Sequence, residues 1–258
     1  VAVTAHKLLI LGGTRHARAL AEQLAGDARY DALLSFAGRT ASLQRPAVPH
    51  RVGGFGGADG LAAFLRDGAF RALIDATHAF AARISNNAVL AAAGARVPLL
   101  RVEQPAWSRQ AGDLWHEVAD MAAAAALLRD RSPARVLLTI GRLEADAFAI
   151  APQHRYLIRA VDAFSTALPD ARLLLARGPF ELAGERALLE REAIDLLVSK
   201  NAGTAATSAK LEAARALGVP VIMVQRPALL PAETVTSTSN ALAWLARVHR
   251  ASGALRGA

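Results

Sequence analysis

Leu8-Leu9-Ile10-Leu11-Gly12-Gly13-Thr14, running straight into the alanine-rich Arg15-His16-Ala17-Arg18-Ala19-Leu20-Ala21, decides how this chain folds. A short unbroken apolar run reads as a strand buried on both faces, and the alanine-rich stretch after it reads as a helix. Glycines at such a strand-to-helix turn let backbone N–H groups approach an anion, and the helix N-terminus adds partial positive charge at the same point. The stretch therefore predicts a phosphate cradle built from Gly12, Gly13, Thr14 and Arg15. Its spacing departs from the strict G-x-G-x-x-G/A form, because the glycines are adjacent and Ala17 stands as the small helix-packing residue. Taken alone, it fits a plain structural turn equally well.

The next strand, Ala32-Leu33-Leu34-Ser35-Phe36-Ala37, ends in Gly38-Arg39-Thr40. A fold that takes NAD usually carries Asp or Glu at this point to accept hydrogen bonds from the ribose 2′-hydroxyl. Here there is none. Hydroxyls at Ser35 and Thr40, the Gly38 backbone and the Arg39 guanidinium suit a 2′-phosphate instead, since arginine offers a forked donor set matched to phosphate oxygens. NADPH is the expected cofactor. The alternative is that Arg39 is one more surface arginine in an arginine-rich chain.

Apolar strand-like runs alternate with helical stretches along the whole chain, the signature of parallel βαβ units. A break at Glu103-Gln104-Pro105-Ala106-Trp107 predicts two α/β domains, residues 1–106 and 107–258, each Rossmann-like with a mainly parallel sheet. Polar or glycine-rich residues follow the strands of the first half at Gly12-Gly13-Thr14, Gly53-Gly54-Phe55-Gly56-Gly57 and Asp75-Ala76-Thr77-His78. In a doubly wound sheet such strand ends face one ligand. Gly54 and Phe55 are assigned to the adenosine or pyrophosphate, and Thr77 and His78 to the nicotinamide side. His78 is a candidate proton donor, because imidazole titrates near neutrality, or a structural hydrogen-bonding group. In the second half Leu197-Val198-Ser199-Lys200-Asn201-Ala202-Gly203-Thr204 repeats the strand-to-polar-turn pattern, and Arg177-Gly178-Pro179-Phe180 ends another strand in the same way. Arg177, Ser199, Lys200 and Asn201, together with His78, are the expected substrate ligands. Lys200 is also a candidate catalytic residue, or a solvated lysine beside a helix cap.

Composition narrows the chemistry. The 258 residues include 30 Lys and Arg against 22 Asp and Glu, for a net charge of +8, and lysine occurs only at 7, 200 and 210. The arginines are scattered through α/β units rather than packed into one run or helix face, so nucleic acid is not the expected partner. A small substrate carrying several carboxylates fits better. With no cysteine there is no disulfide, thiol nucleophile or cysteine-held metal, which suits a reducing compartment. The opening residues lack a signal-peptide layout and no stretch of about 18 residues is continuously apolar, so a soluble cytoplasmic protein without membrane contact is expected. Y-x-x-x-K, G-x-S-x-G, H-E-x-x-H and G-x-x-x-x-G-K-[ST] are all absent, which removes the short-chain dehydrogenase, hydrolase, zinc-enzyme and P-loop readings. No metal site is expected.

The order of motifs is similar to that of the precorrin-6A reductases of cobalamin biosynthesis. It is carried by Ile10-Leu11-Gly12-Gly13-Thr14, Asp75-Ala76-Thr77-His78-Ala79-Phe80-Ala81, Arg101-Val102-Glu103-Gln104-Pro105-Ala106-Trp107 and Thr139-Ile140-Gly141. It continues through Arg177-Gly178-Pro179-Phe180, Val198-Ser199-Lys200-Asn201-Ala202-Gly203, Lys210-Leu211-Glu212-Ala213-Ala214-Arg215 and Val221-Ile222-Met223-Val224-Gln225-Arg226-Pro227. Two positions depart from the pattern. Ala79 replaces a usual proline, which makes the His78 turn less rigid, and Ala202 stands where serine is common.

The resemblance implies two Rossmann-like domains with a tetrapyrrole-derived macrocycle in the cleft between them. A monomer is the expected state. It also implies NADPH-dependent reduction of a ring double bond in precorrin-6A to give precorrin-6B, with hydride to C19. The proton for the neighbouring carbon then comes from water or a cleft residue. Two other readings stay open: an NADPH-dependent reductase of another polycarboxylate, and a nucleotide-sensing binding protein.

Overall fold

The computed structural model describes residues 5–37 and 45–254, so Gly38, Arg39 and Thr40 lie outside the described residues. The first half runs β1 (His6–Leu11), α1 (Arg15–Leu24), β2 (Tyr30–Phe36), β3 (His50–Val52), α2 (Gly57–Asp67), β4 (Ala72–Asp75), α3 (Ala82–Ala95) and β5 (Leu99–Val102). β6 (Trp115–Val118), α4 (Met121–Arg129), β7 (Arg135–Thr139) and the short α5 (Arg142–Ala145) follow. Next come β8 (Arg155–Ala160), β9 (Ala171–Leu175), α6 (Leu182–Arg191), β10 (Leu196–Lys200), α7 (Ala209–Leu217), β11 (Val221–Val224), β12 (Glu233–Val235) and α8 (Thr238–Ala254).

These strands form two parallel sheets, ordered β12-β5-β4-β1-β2-β3 and β6-β11-β10-β7-β8-β9. Each is a 3-2-1-4-5 doubly wound core with a sixth strand added beside the fifth. The expected α/β class with two Rossmann-like sheets is what the chain adopts. The sixth strands are exchanged along the sequence. After β5 the chain leaves to supply β6 to the second sheet, and after β11 it returns to supply β12 to the first.

The compact units are accordingly Val1–Pro105 with Ala228–Ala258, and Ala106–Pro227. This corrects the expected second domain over 107–258 at its far end. β12 pairs with β5 through Glu233, Thr234 and Val235, and Trp244 and Leu245 of α8 join the core under β1.

The pattern of β1 explains why its sheet is covered on both sides. Side chains alternate across a strand. Leu8 and Ile10 enter one apolar cluster with Leu20, Leu24 and Trp244, while Leu9 and Leu11 enter another with Leu61, Leu65 and Ala88. In the second sheet Leu137, Leu157, Leu197 and Met223 share one cluster with Leu188 and Leu189 of α6 and Leu211 of α7. No helix of the described residues is long and apolar enough to cross a membrane.

Candidate functional site

In the first sheet the strand order reverses between β1 and β4, and both strands end on the same edge. A ligand crevice opens at such a point, beyond the carboxyl ends of the strands. Gly12 closes β1 against β2: its N–H donates to Ser35 O at 2.8 Å, and a Cβ there would sit 2.9 Å from Leu34 Cδ1 and 3.3 Å from Ser35 O. Gly13 is required by conformation rather than by space, with φ at +131° and no described atom within 4 Å of an added Cβ. Thr14 caps α1, accepting from Ala17 N–H at 3.3 Å and donating to Ala76 O at 2.7 Å. That second bond ties the β1 corner to the end of β4. α1 carries no acidic residue in its first turn, which leaves its positive N-terminal end uncompensated by a side-chain carboxylate there. Arg15 is exposed beside it.

Beside this corner lies a second one, organised by an arginine that sequence reasoning did not single out. Arg51 Nη1 donates to Ser35 Oγ and Gly53 O, each at 3.0 Å, and Nη2 donates to Gly54 O at 2.9 Å. Its guanidinium also lies 4.1 Å from the Phe55 ring centroid. The guanidinium fork therefore fixes the glycine loop through carbonyls and leaves the Ser35 hydroxyl its own proton to donate. Gly53, Gly56 and Gly57 have φ of +123°, +80° and +96°. Gly60 is demanded by crowding, because a Cβ there would fall 1.8 Å from Phe55 O. The signal for Arg51 was its place two residues ahead of the glycines.

At the end of β4, Asp75 is buried and accepts from Thr77 N–H at 3.2 Å and Thr77 Oγ1 at 2.7 Å, with Arg101 Nε at 3.5 Å from its other oxygen. Thr77 Oγ1 gives its proton to Asp75, so Ser85 Oγ, 3.1 Å away, is the donor between those two hydroxyls. His78 is exposed, and its Nδ1 accepts from Phe80 N–H at 3.2 Å. That bond places the proton of the neutral ring on Nε2. In α1, His16 Nε2 lies 2.7 Å from Gln104 Nε2, which also donates to Thr236 O at 2.8 Å. Burial, helped by the charge of Arg15, holds the His16 imidazole below its ordinary pKa. His16, Arg101 and Gln104 were each inside quoted motifs without a role assigned to them.

In the second unit the expected residues again gather at the carboxyl ends of strands, but not all of them face a ligand. Ser199 is fully buried and its Oγ donates to Lys200 O at 3.2 Å. Asn201 bonds both ends of its amide to the Trp107 backbone, accepting from its N–H at 2.7 Å and donating to its carbonyl at 3.0 Å. Both residues expected to contact substrate thus have partners within the protein: Ser199 its neighbouring carbonyl, Asn201 the Trp107 backbone. Lys200 Nζ lies 2.5 Å from Glu144 Oε1, on the short helix that follows Gly141, whose φ is +93°. Arg177 is exposed on the loop after β9.

Beneath these loops lies a buried charge cluster that sequence reasoning missed. Arg159, one residue from the end of β8, grips Glu185 of α6 through two bonds at 2.8 and 3.0 Å and stacks 4.2 Å from the Phe180 ring. Lys210, in the first turn of α7, is buried 5.1 Å from the Trp107 ring centroid. Desolvation, with a smaller push from the charge of Arg159, lowers its pKa to about 7.

The family described as "Precorrin-6x reductase CbiJ/CobK" matches residues 7–246 of the chain. A protein named precorrin-6A reductase from Rhodococcus erythropolis is 49% identical over 246 residues, which is 95% of this chain and 99% of that protein. One of the same name from a Sinorhizobium species is 50% identical over 238 residues, covering 92% of this chain and 91% of its own length. A cobalt-precorrin-6A reductase from Priestia megaterium is 29% identical over 239 residues, covering 85% and 90%. Among solved structures, one described as CobK precorrin-6A reductase superposes with a TM-score of 0.87 at 46% identity, covering 94% of this chain and 97% of its own. The chain belongs to the precorrin-6x reductase CbiJ/CobK family of oxidoreductases.

Proposed function

We propose that the protein reduces a ring double bond of precorrin-6A to give precorrin-6B, using NADPH, as a step of cobalamin biosynthesis. The observation that carries the reading is the β1 corner at the switch point of the first sheet. There two glycines, one held at positive φ, open onto a helix N-terminus free of first-turn carboxylates. A dinucleotide pyrophosphate fits that donor set. Gly12, Gly13, Thr14 and Arg15 are the residues for it, Gly54 and Phe55 for the adenosine, Thr77 for the nicotinamide side. Ser35 retains a hydroxyl proton for the 2′-phosphate, which Arg39 reads in company with Gly38 and Thr40.

When bound, the reduced nicotinamide supplies a hydride, and family resemblance directs it to C19 of the macrocycle. The protein's own part is chiefly positioning, with His78 and Lys200 as the candidate acids. The cations at the strand ends of the second unit, Lys200 and Arg177, suit the acetate and propionate arms of the ring, each charge-assisted hydrogen bond contributing about 1.5–3 kcal/mol. His78 is exposed, and in its imidazolium form it is one source of the proton for the neighbouring carbon. Water is the other. The relatives named for the metal-free precorrin are the more similar ones, which favours a metal-free macrocycle as substrate.

The test is to add precorrin-6A to the purified protein with NADPH and follow loss of the cofactor's near-ultraviolet absorbance. Loss in proportion to the macrocycle consumed is expected. Absence of turnover removes the proposal.

A further inference from the structure

Thr139-Ile140-Gly141 leaves β7 at the ligand edge of the second sheet, and neither the cofactor nor the ring gives this motif a task. β7 and β10 pair in parallel from Leu196 beside Val136 to Ser199 beside Thr139, and the strand order reverses between them. Gly141 turns the chain at a φ of +93°, a backbone that favours glycine. The short α5 then brings Glu144 to the end of β10. Its Oε1 lies 2.5 Å from Lys200 Nζ, and its Oε2 lies 3.6 Å from where a Cβ on Gly141 would stand.

The two members of this pair are not equally free. The Lys200 side chain is 13% exposed and that of Glu144 is 34% exposed, so Glu144 has water to move into and Lys200 is held by its surroundings. The ammonium only donates, and an ionised carboxylate only accepts. An acid arm of the macrocycle that reaches Lys200 therefore makes the bond that Glu144 already makes, and it brings a second negative charge beside the first. Like charges on one partly buried cation repel. The repulsion is relieved when Glu144 swings out and regains its hydration, while Lys200 stays paired.

We infer that Glu144 is an internal competitor for Lys200, a carboxylate that holds the ammonium until an acid arm of the substrate displaces it; the inference rests on the reading above of Lys200 as a ligand of those arms. Glu144 is thus a positioning residue with two opposed effects. It keeps the Lys200 side chain in place before the ring arrives, and it lowers the affinity with which the ring is then held.

Steady-state kinetics with precorrin-6A at saturating NADPH test this on the full chain, with Glu144→Gln, Lys200→Met and the double variant beside the wild type. Glutamine keeps the length and an oxygen for Lys200 but removes the charge. Glu144→Gln is expected to raise kcat/KM for precorrin-6A about 2- to 5-fold through a lower KM, the range covered by one partly exposed ion pair, with kcat not raised. Glu144→Ala shows the same gain if the glutamine variant does not fold. Lys200→Met lowers kcat/KM, and in its background Glu144→Gln brings no gain. An unchanged or lower kcat/KM for Glu144→Gln makes the pair purely structural and overturns the inference. A gain that persists without Lys200 overturns it too, since Glu144 then acts as a general repelling charge. In both cases the proposed reduction stands. Lys200→Met with wild-type kcat/KM removes Lys200 from the acid arms and this inference with it, whereas wild-type protein that does not turn over precorrin-6A overturns the proposed function itself.

Discussion

Lys210→Met isolates the buried charge cluster of the second unit. In the folded protein Lys210 shares its surroundings with Arg159 and Glu185, and its pKa falls to about 7 from the ordinary lysine value of 10.5, first through desolvation and then through Arg159. The folded state therefore holds fewer protons than the unfolded one between those two values. Stability rises with pH wherever the unfolded state binds more protons, by about 1.4 kcal/mol per pH unit for one group. Below about pH 7 the full penalty acts on the wild-type protein, and it disappears above the unfolded value. Methionine has a similar length, carries no charge and leaves Arg159 and Glu185 as a neutral pair. The variant is expected to be the more stable protein at pH 6, with its advantage shrinking by about 3 kcal/mol between pH 6 and pH 9. Urea unfolding of both proteins at several pH values, followed by tryptophan fluorescence, measures this directly. A stability difference that does not change with pH would show that Lys210 keeps an ordinary pKa in the folded chain, and the reasoning about the cluster would fail.

Other positions give sharper structural or functional readouts. Gly60→Ala places a Cβ 1.8 Å from Phe55 O, so the glycine loop must move; a stability loss of about 1–3 kcal/mol in chemical unfolding is expected, and an unchanged midpoint would show that the crowding is relieved at no cost. Arg39→Ala weakens NADPH by about 10- to 100-fold and leaves NADH nearly unchanged in titration; equal losses would disprove a role at the 2′-phosphate. His78→Ala keeps NADPH affinity and part of its turnover if water supplies the proton, whereas complete loss of turnover with normal substrate binding assigns the proton to His78.

Most of the fold was legible because the sheets are parallel and buried. Leu8-Leu9-Ile10-Leu11 and Leu196-Leu197-Val198 announce strands by apolar runs alone, and the polar or glycine-rich residues after them mark the ligand edge. The two sixth strands were not legible. β6 reads Trp-His-Glu-Val and β12 reads Glu-Thr-Val, both short edge strands with polar, solvent-facing positions that break the apolar signature. Missing β12 is what misplaced the end of the second domain, since α8 has the same amphipathic pattern whichever sheet it covers.

At the site, glycine positions transferred well from sequence to structure because φ and close approach are local demands, as at Gly12 and Gly13. Side-chain roles transferred less well. Asn201 was read as a ligand residue, and only the fold reveals that its amide also bonds the backbone of Trp107, 94 positions away. Arg51, Arg101, Arg159, Glu185 and Lys210 gain their meaning from partners remote in sequence, and an arginine-rich composition hides such residues among many similar ones.

The central claim is direct transfer of hydrogen from NADPH to the macrocycle, and isotopic labelling examines it without reliance on any variant. NADPH carrying deuterium at nicotinamide C4, on whichever face the enzyme uses, is incubated with the protein and precorrin-6A, and the product is analysed by mass spectrometry and NMR. The account predicts a product heavier by one deuterium and one solvent-derived hydrogen, with the deuterium at C19. Reduced product that contains no deuterium from the cofactor with either face labelled would contradict it.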